Sequence, residues 1–168
     1  KNLKQNNMAD LLMKMPIPYE PKRKNRFIMS FNDLGINEWY VESTSRPSLT
    51  INSTAIDFLN TKTYVAGKYE WGEISVTFRD PIGPSASQAL MEWVRLHAES
   101  VTGRMGYAAG YKRDIFLSLL DPTGVVIEKW VLKNTFLTKV DFQGLSYSED
   151  GLVTIQASLR PDYCILLY

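Results

Sequence analysis

Apolar and polar positions alternate most cleanly between Trp71 and Arg79. Ile74, Val76 and Phe78 fall on one side, and Glu73, Ser75, Thr77 and Arg79 on the other. A period of two predicts a strand with one buried and one wet face, and Asp80-Pro81 ends it. From Ser85 to about Ser100 the period lengthens. Leu90, Trp93, Val94 and His97 recur at i, i+3, i+4 and i+7, which predicts one amphipathic helix lying on a sheet. Ser85 and Gln88 have the spacing of a capping box. Arg95 and Glu99 can pair on the far side, and Gly103 can terminate the helix.

The rest of the chain reads as β. R-F-I-M-S-F begins at Arg26, N-D-L-G offers a turn, and E-W-Y-V-E-S-T alternates after it, so the two runs are expected to pair as a hairpin. The final third predicts a meander. D-I-F-L-S-L-L-D and V-V-I-E-K-W-V-L flank the turn D-P-T-G. N-T-F-L-T-K-V-D-F and L-V-T-I-Q-A-S-L-R are joined by Q-G-L-S-Y-S-E-D-G. In the last strand Val153, Ile155, Ala157 and Leu159 are apolar, while Thr154, Gln156, Ser158 and Arg160 are polar. That polar side, rich in hydroxyls and amides, suits a wet surface that must not adhere to what passes over it.

Two segments depart from this pattern. Residues 1–25 are polar and amide-rich, with one helical turn expected from Asp10, then P-I-P-Y-E-P, which favours an extended path. They read as an arm outside a single domain of residues 26–168. The basic run Lys22, Arg23, Lys24 and Arg26 fits a solvated linker by default, or a grip on an acidic or phosphate-bearing partner. Residues 46–70 lose alternation near Ala55–Phe58 and read as a long excursion. Ile56, Phe58 and Leu59 make it too apolar for disorder. It either folds back on its own core or marks a binding surface, and the binding surface is preferred.

Composition narrows the chemistry. The chain has 168 residues, enough for one well-filled core. Lys and Arg number 19 against 18 Asp and Glu, so no strong overall field gathers nucleic acid or a membrane surface. No apolar run approaches membrane-span length, and Lys1–Asp10 has no secretory apolar core. The one cysteine, Cys164, sits among Tyr163, Ile165 and Leu166 and reads as a packed hydrophobe, which fits a cytosolic origin. The one histidine, His97, lies on the apolar stripe of the helix. No G-x-S-x-G context and no metal-ligand spacing is present. T-G-R-M-G-Y-A-A-G-Y-K-R has glycines but no lysine placed for a phosphate loop, and a strand follows it. These features argue against an enzyme, a cofactor or a metal.

The order of features resembles the tail tube family of contractile bacteriophages, with the tubes of type VI secretion and contractile bacteriocins as looser relatives. The resemblance runs from about Asn25 to Tyr163. It is carried by N-R-F-I-M-S-F, Ala66-Gly67 in the excursion, W-G-E-I-S-V-T-F-R-D, Glu92-Trp93 in the helix, Y-K-R-D-I-F-L-S-L-L-D-P-T-G, W-V-L-K-N-T-F and the closing L-R-P-D-Y. It implies a mainly β half-barrel or sandwich with one flanking helix, closing into hexameric rings that stack into a tube. The implied partners are copies of itself, a tail sheath protein, baseplate and tail terminator proteins, and a tape measure protein or DNA in the lumen, with no membrane anchor. The implied place is a virion tail assembled in the host cytoplasm. Arg46, Ile56, Phe58, Leu59 and Tyr64, with Lys22, Arg23 and Lys24 of the arm, are the expected contacts between copies. The subtype stays open between major tube, tube initiator and the tube of an injection machine. A monomeric β-barrel for a small apolar ligand and a hydrolase relying on His97 are the competing classes.

Overall fold

The computed structural model describes residues 19–168, so the helical turn expected at Asp10 lies outside the described residues. In chain order the strands are β1 (Phe27–Phe31), β2 (Val41–Thr44), β3 (Leu49–Phe58), β4 (Thr61–Trp71), β5 (Ile74–Arg79), β6 (Arg113–Leu120), β7 (Val126–Asp141), β8 (Thr154–Arg160) and β9 (Tyr163–Leu166). Helix α1 (Ala86–His97) and the single turn α2 (Ala108–Tyr111) lie between β5 and β6. One sheet runs β1-β6-β7-β8-β5-β2, with β9 also on β7, while β3 and β4 form a separate two-stranded ribbon.

The sheet folds over on itself, and β7 makes the corner. Its first half pairs with β6 through Leu132↔Ile115 and with β9 through Leu132↔Cys164. Its second half pairs with β8, from Phe136↔Arg160 to Asp141↔Gln156. Between them the β6 register slips, and Asn134 takes a left-handed φ of 52°, which gives a bulge. Asp114 holds the bulge. Its carboxylate accepts the Asn134 N–H at 3.1 Å and the Lys133 ammonium at 2.5 Å. The Lys133 hydrogen bond, opposed by burial and aided by the Asn134 N–H, keeps Asp114 below the usual carboxylate range.

The fold-over buries one face of each half. Met29, Ile115, Leu117 and Leu132 meet Ile74, Val76, Ile155 and Leu159 in one core, and Phe31 of β1 lies 5.4 Å from Phe78 of β5. Helix α1 sinks Leu90 and Trp93 into that core, and the Trp93 indole N–H donates to the Tyr111 carbonyl at 2.8 Å. Ser85 caps α1 as expected, its hydroxyl accepting the Gln88 N–H at 3.4 Å. Asp80 adds a second cap through the Ala86 and Ser87 N–H groups at 3.0 and 3.3 Å, favourable at the positive end of a helix. Burial opposes ionisation of Asp80, but the Ser87 hydroxyl and N–H, the Ser85 hydroxyl and the Ala86 N–H together outweigh it, so its pKa is lowered. The helix stops at His97, three residues early. Ala98 turns extended and bridges to Met105, and Gly106 packs so closely on the end of the helix that a Cβ there would sit 1.9 Å from the Leu96 carbonyl oxygen.

The architecture is mainly β with one substantial helix, as expected. Four local expectations change. β1 and β2 do not pair; β1 joins β6 and β2 joins β5. The link between them buries Ile36 and Tyr40, with Glu38–Tyr40 a turn of 3-10 helix, so it crosses the core instead of turning back. The two strands expected across Val126–Asp141 are one bent strand. The closing Pro161-Asp162 step leads into a further strand, β9. The excursion is a regular hairpin, β3–β4, described below.

Replacing Asn134 by valine forces a β-branched residue into the left-handed region and is expected to cost about 1–2 kcal/mol. Replacement by glycine is expected to be near neutral. Urea unfolding of the two variants checks this.

Candidate assembly surface

The surface begins at the ribbon. Every residue from Leu49 to Glu70 is exposed. Pairing runs from Leu49↔Trp71 to Phe58↔Thr61, with Leu59 at the tip in left-handed φ of 51°. A register shift lies between Ile51 and Ser53, where β4 carries Gly67. A Cβ on Gly67 would sit 3.1 Å from the Asn52 carbonyl oxygen, so the close approach favours glycine there. Ten residues of strand reach about 33 Å, and a lone hairpin is marginally stable in water. The cross-strand partners fix the faces. Ile56 and Phe58 share one face with Val65, while Tyr64 lies on the other face with Ala55. Leu59 is 88% exposed and Phe58 67% exposed. The expected contact residues of this segment therefore form a blade that is apolar on both sides.

The base of the blade is anchored to the body through a carboxylate the sequence reading passed over. Glu128 on β7 is 4% exposed, and a buried charge needs partners. Lys22 and Arg46 both donate to it, and the Trp130 indole N–H donates at 2.7 Å. Burial pushes its pKa up, but the bonds from Lys22 and Trp130 and the charges of Arg46 and Lys22 overcome that, and the net shift is downward. Trp71 packs edge-on to Trp130 at 6.5 Å, the Gly72 N–H donates to the Ser48 carbonyl at 2.9 Å, and Arg160 pairs with Glu70. The signal for Glu128 was its place in V-V-I-E-K-W-V-L, on the same parity as Trp130 and the buried Leu132.

The expected site residues thus fall into two groups. Ile56, Phe58, Leu59 and Tyr64 lie on the blade. Lys22, Arg23, Lys24 and Arg46 line a groove of about 650 Å³ in the seam between β1 and β2, with Phe27, Leu117 and Leu119 contributing its apolar wall. Among the described residues, Arg23 and Lys24 make no ion pair, whereas Lys22 and Arg46 are drawn toward Glu128.

A third feature is the outer face of β7–β8–β5–β2. The register sets Ser75 beside Ser158, Thr77 beside Gln156 and Arg79 beside Thr154. Ser43 lies beside Thr77, and Lys139 and Asp141 beside Ser158 and Gln156. Lys139 and Asp141 are 3.5 Å apart and offset each other. Among the described residues neither β2 nor the Thr138–Asp141 stretch of β7 has a strand beyond it, so within them the polar face ends in open edges on both sides.

His97 is engaged at both ring nitrogens. Nδ1 lies 2.9 Å from the Trp93 carbonyl oxygen and Nε2 lies 3.3 Å from the Leu137 backbone nitrogen. The carbonyl requires the proton on Nδ1, so Nε2 accepts the Leu137 N–H and the ring is neutral. Tyr111 stacks on it at 4.4 Å. The imidazole joins helix to sheet and has no nitrogen free for proton transfer. Burial lowers its pKa, against the hydrogen bond to Trp93. Cys164 is buried as well, and burial pushes its thiol up to about 11.

No family model and no curated protein matches the sequence. Solved structures do match in fold. A chain of the anti-feeding prophage cap, the AFP tube terminating cap, superposes with a TM-score of 0.73 at 19% identity, over 95% of this chain and 98% of that one. A chain of the PVC sheath/tube terminator, from an extracellular contractile injection system in the extended state, gives 0.72 at 18% identity, over 90% and 99%. A chain of the six-fold symmetrised anti-feeding prophage baseplate gives 0.69 at 12% identity, over 89% and 97%. The fold of this chain is the fold of those chains along nearly their whole length.

Replacing Glu128 by glutamine keeps an acceptor for Trp130 but removes the charge that holds Lys22 and Arg46. A loss of about 1–2 kcal/mol is expected, with faster tryptic cleavage at Lys22–Lys24 than in the wild type. Stability should also fall as pH drops below His97's unfolded value of about 6.5. There the unfolded chain takes up a proton that the folded ring, with its lowered pKa, does not. Denaturation between about pH 7.5 and 5 should show this decline, and His97→Gln should lack it.

Proposed function

We propose that this chain is a subunit of the inner tube of a contractile particle, or of a ring that starts or terminates that tube, and that its function is to pair with copies of itself. The observation that carries this is the polar face of β7–β8–β5–β2, bounded by two open edges. A monomer leaves those edges unsatisfied, whereas a ring pairs each copy's β2 with the next copy's β7. Four strands from each of about six copies give about 24 strands. At about 4.8 Å spacing and about 40° tilt they enclose a backbone diameter near 50 Å, which leaves room for duplex DNA once side chains are added.

The fold shared with chains of cap, terminator and baseplate structures supports this reading. So does the blade, which exposes more apolar surface than an isolated subunit tolerates and would dock on a neighbouring copy. The inner wall is passive. Its serines, threonines and glutamine, with Lys139 offset by Asp141 and Arg79 seated over the Trp39 ring, give a moving polymer little to hold. The outer side, with α1, would meet a sheath. In a phage tail the cargo would be DNA and the place the virion. In an injection particle the cargo would be protein.

Electron microscopy of the purified protein over a concentration series tests the proposal. Rings or hollow tubes are expected. Persistent monomers, even with a baseplate extract as template, would favour the monomeric ligand-binding barrel. Phe58→Asp with Leu59→Asp, both at exposed positions, should leave the melting temperature within about 2 °C while abolishing the assemblies.

A further inference from the structure

A basic groove and an acidic loop lie at different edges of the same sheet. Loop 142–153 leaves β7 at Asp141 and enters β8 at Thr154. Through Thr154↔Arg79 and Phe78↔Val41 it emerges at the Val41 end of β2. The groove runs along β2 from Glu42 past Thr44 to Arg46, toward the end where the arm and the blade also leave. The two regions share no residue. Loop 142–153 is exposed throughout. Leu145, Tyr147 and Leu152 are 84%, 112% and 80% exposed, and they flank Glu149-Asp150. Among the described residues neither acid is in an ion pair, and neither are Arg23 and Lys24.

We infer that the groove is the seat of loop 142–153 from a second copy. Glu149 and Asp150 meet Arg23 and Lys24, and Tyr147 or Leu145 lies against Phe27 and Leu119. The two acids match Arg23 and Lys24, with Glu42 of β2 the one acidic side chain among the groove's lining residues, and the loop's apolar side chains match the Phe27, Leu117 and Leu119 wall. Groove and loop are different surfaces, so the contact is head to tail and leaves a groove free at one end and a loop free at the other. Repetition then gives a filament. This deepens the tube reading and rests on it, since it assigns the contact between successive rings rather than the closure of each ring. It also gives Lys22 and Arg46 a role distinct from their expected one. They are held by Glu128 and shape the groove, while Arg23 and Lys24 take the partner's charge.

The test is a charge exchange in the full chain. Arg23→Glu with Lys24→Glu, and separately Glu149→Lys with Asp150→Lys, should each convert tubes to unstacked rings with unchanged thermal melting. Combining all four changes should restore tubes. Tubes undiminished in either reversed variant, or no restoration in the exchanged one, would overturn the pairing while leaving the tube reading intact. If the wild type forms no assembly even with a baseplate extract as template, the tube reading fails, and the contact is read by titrating a peptide of residues 142–153 into the full-length protein by NMR. Salt-sensitive shifts at Arg23, Lys24 and Phe27, about tenfold weaker in the reversed groove, would sustain the contact. Their absence at millimolar peptide would overturn it.

Discussion

The bend of β7 at Asn134 sets everything else. One strand of 16 residues runs along both halves of the molecule, and β8 followed by β9 accompanies it on one edge from Asp141 back to Trp130. On the other edge β6 stops pairing at Arg113↔Thr135. Beyond that point His97 accepts the Leu137 N–H, and among the described residues no strand pairs with Thr138–Asp141 on that edge. The Asp114 carboxylate, with its bonds to Lys133 and Asn134, therefore does more than brace a kink. By fixing where β7 changes sheets it fixes how many strands form the polar face and where that face is left open.

Alternation in the sequence identifies the buried faces of β5 and β8 residue by residue, because a strand with one wet side writes its burial into a period of two. The α1 stripe and its Ser85 cap are equally readable. Pairing is not. Nothing in R-F-I-M-S-F states that its partner is β6, nearly ninety residues on, since inward parity names a face and not a neighbour. The β3–β4 ribbon is hidden for a related reason. Neither of its faces is buried in the subunit, so Ile56, Thr63, Tyr64 and Val65 follow no inside–outside rule, and the Asn52–Gly67 bulge shifts the phase midway. The residues expected to contact other copies stand out as an apolar or basic surplus, while the role of Glu128 in binding Lys22 and Arg46 requires knowing that β7 lies beneath both the arm and the base of the blade.

A surplus of this kind distinguishes a building block from a self-sufficient domain. The core of this chain is closed by α1 and by the fold-over at Phe31 and Phe78. Its blade, its open edges and the loop after β7 are finished by nothing among the described residues. Each is tied firmly at its root, the blade by Glu128, Trp130 and Arg160, the loop by the β7–β8 ladder. A feature held rigidly at its base and bare at its end loses little conformational freedom when a partner covers it, and that preorganisation favours association.

The charge distribution leads to the same conclusion by another route. A formal net charge of +1 suggests a surface without direction, yet Arg23 and Lys24 stand at the end where the blade leaves, and Glu149 and Asp150 at the end where β7 turns into β8. Copies placed side by side in one orientation bring like ends together and gain nothing from this separation. Copies placed end to end bring opposite charges together at every junction. Charges on exposed loops act within about a Debye length, about 8–10 Å at moderate salt, so they add little to the stability of one subunit. Their effect is on which approach of two subunits succeeds, and the approach they favour is the one along the strands of the polar face.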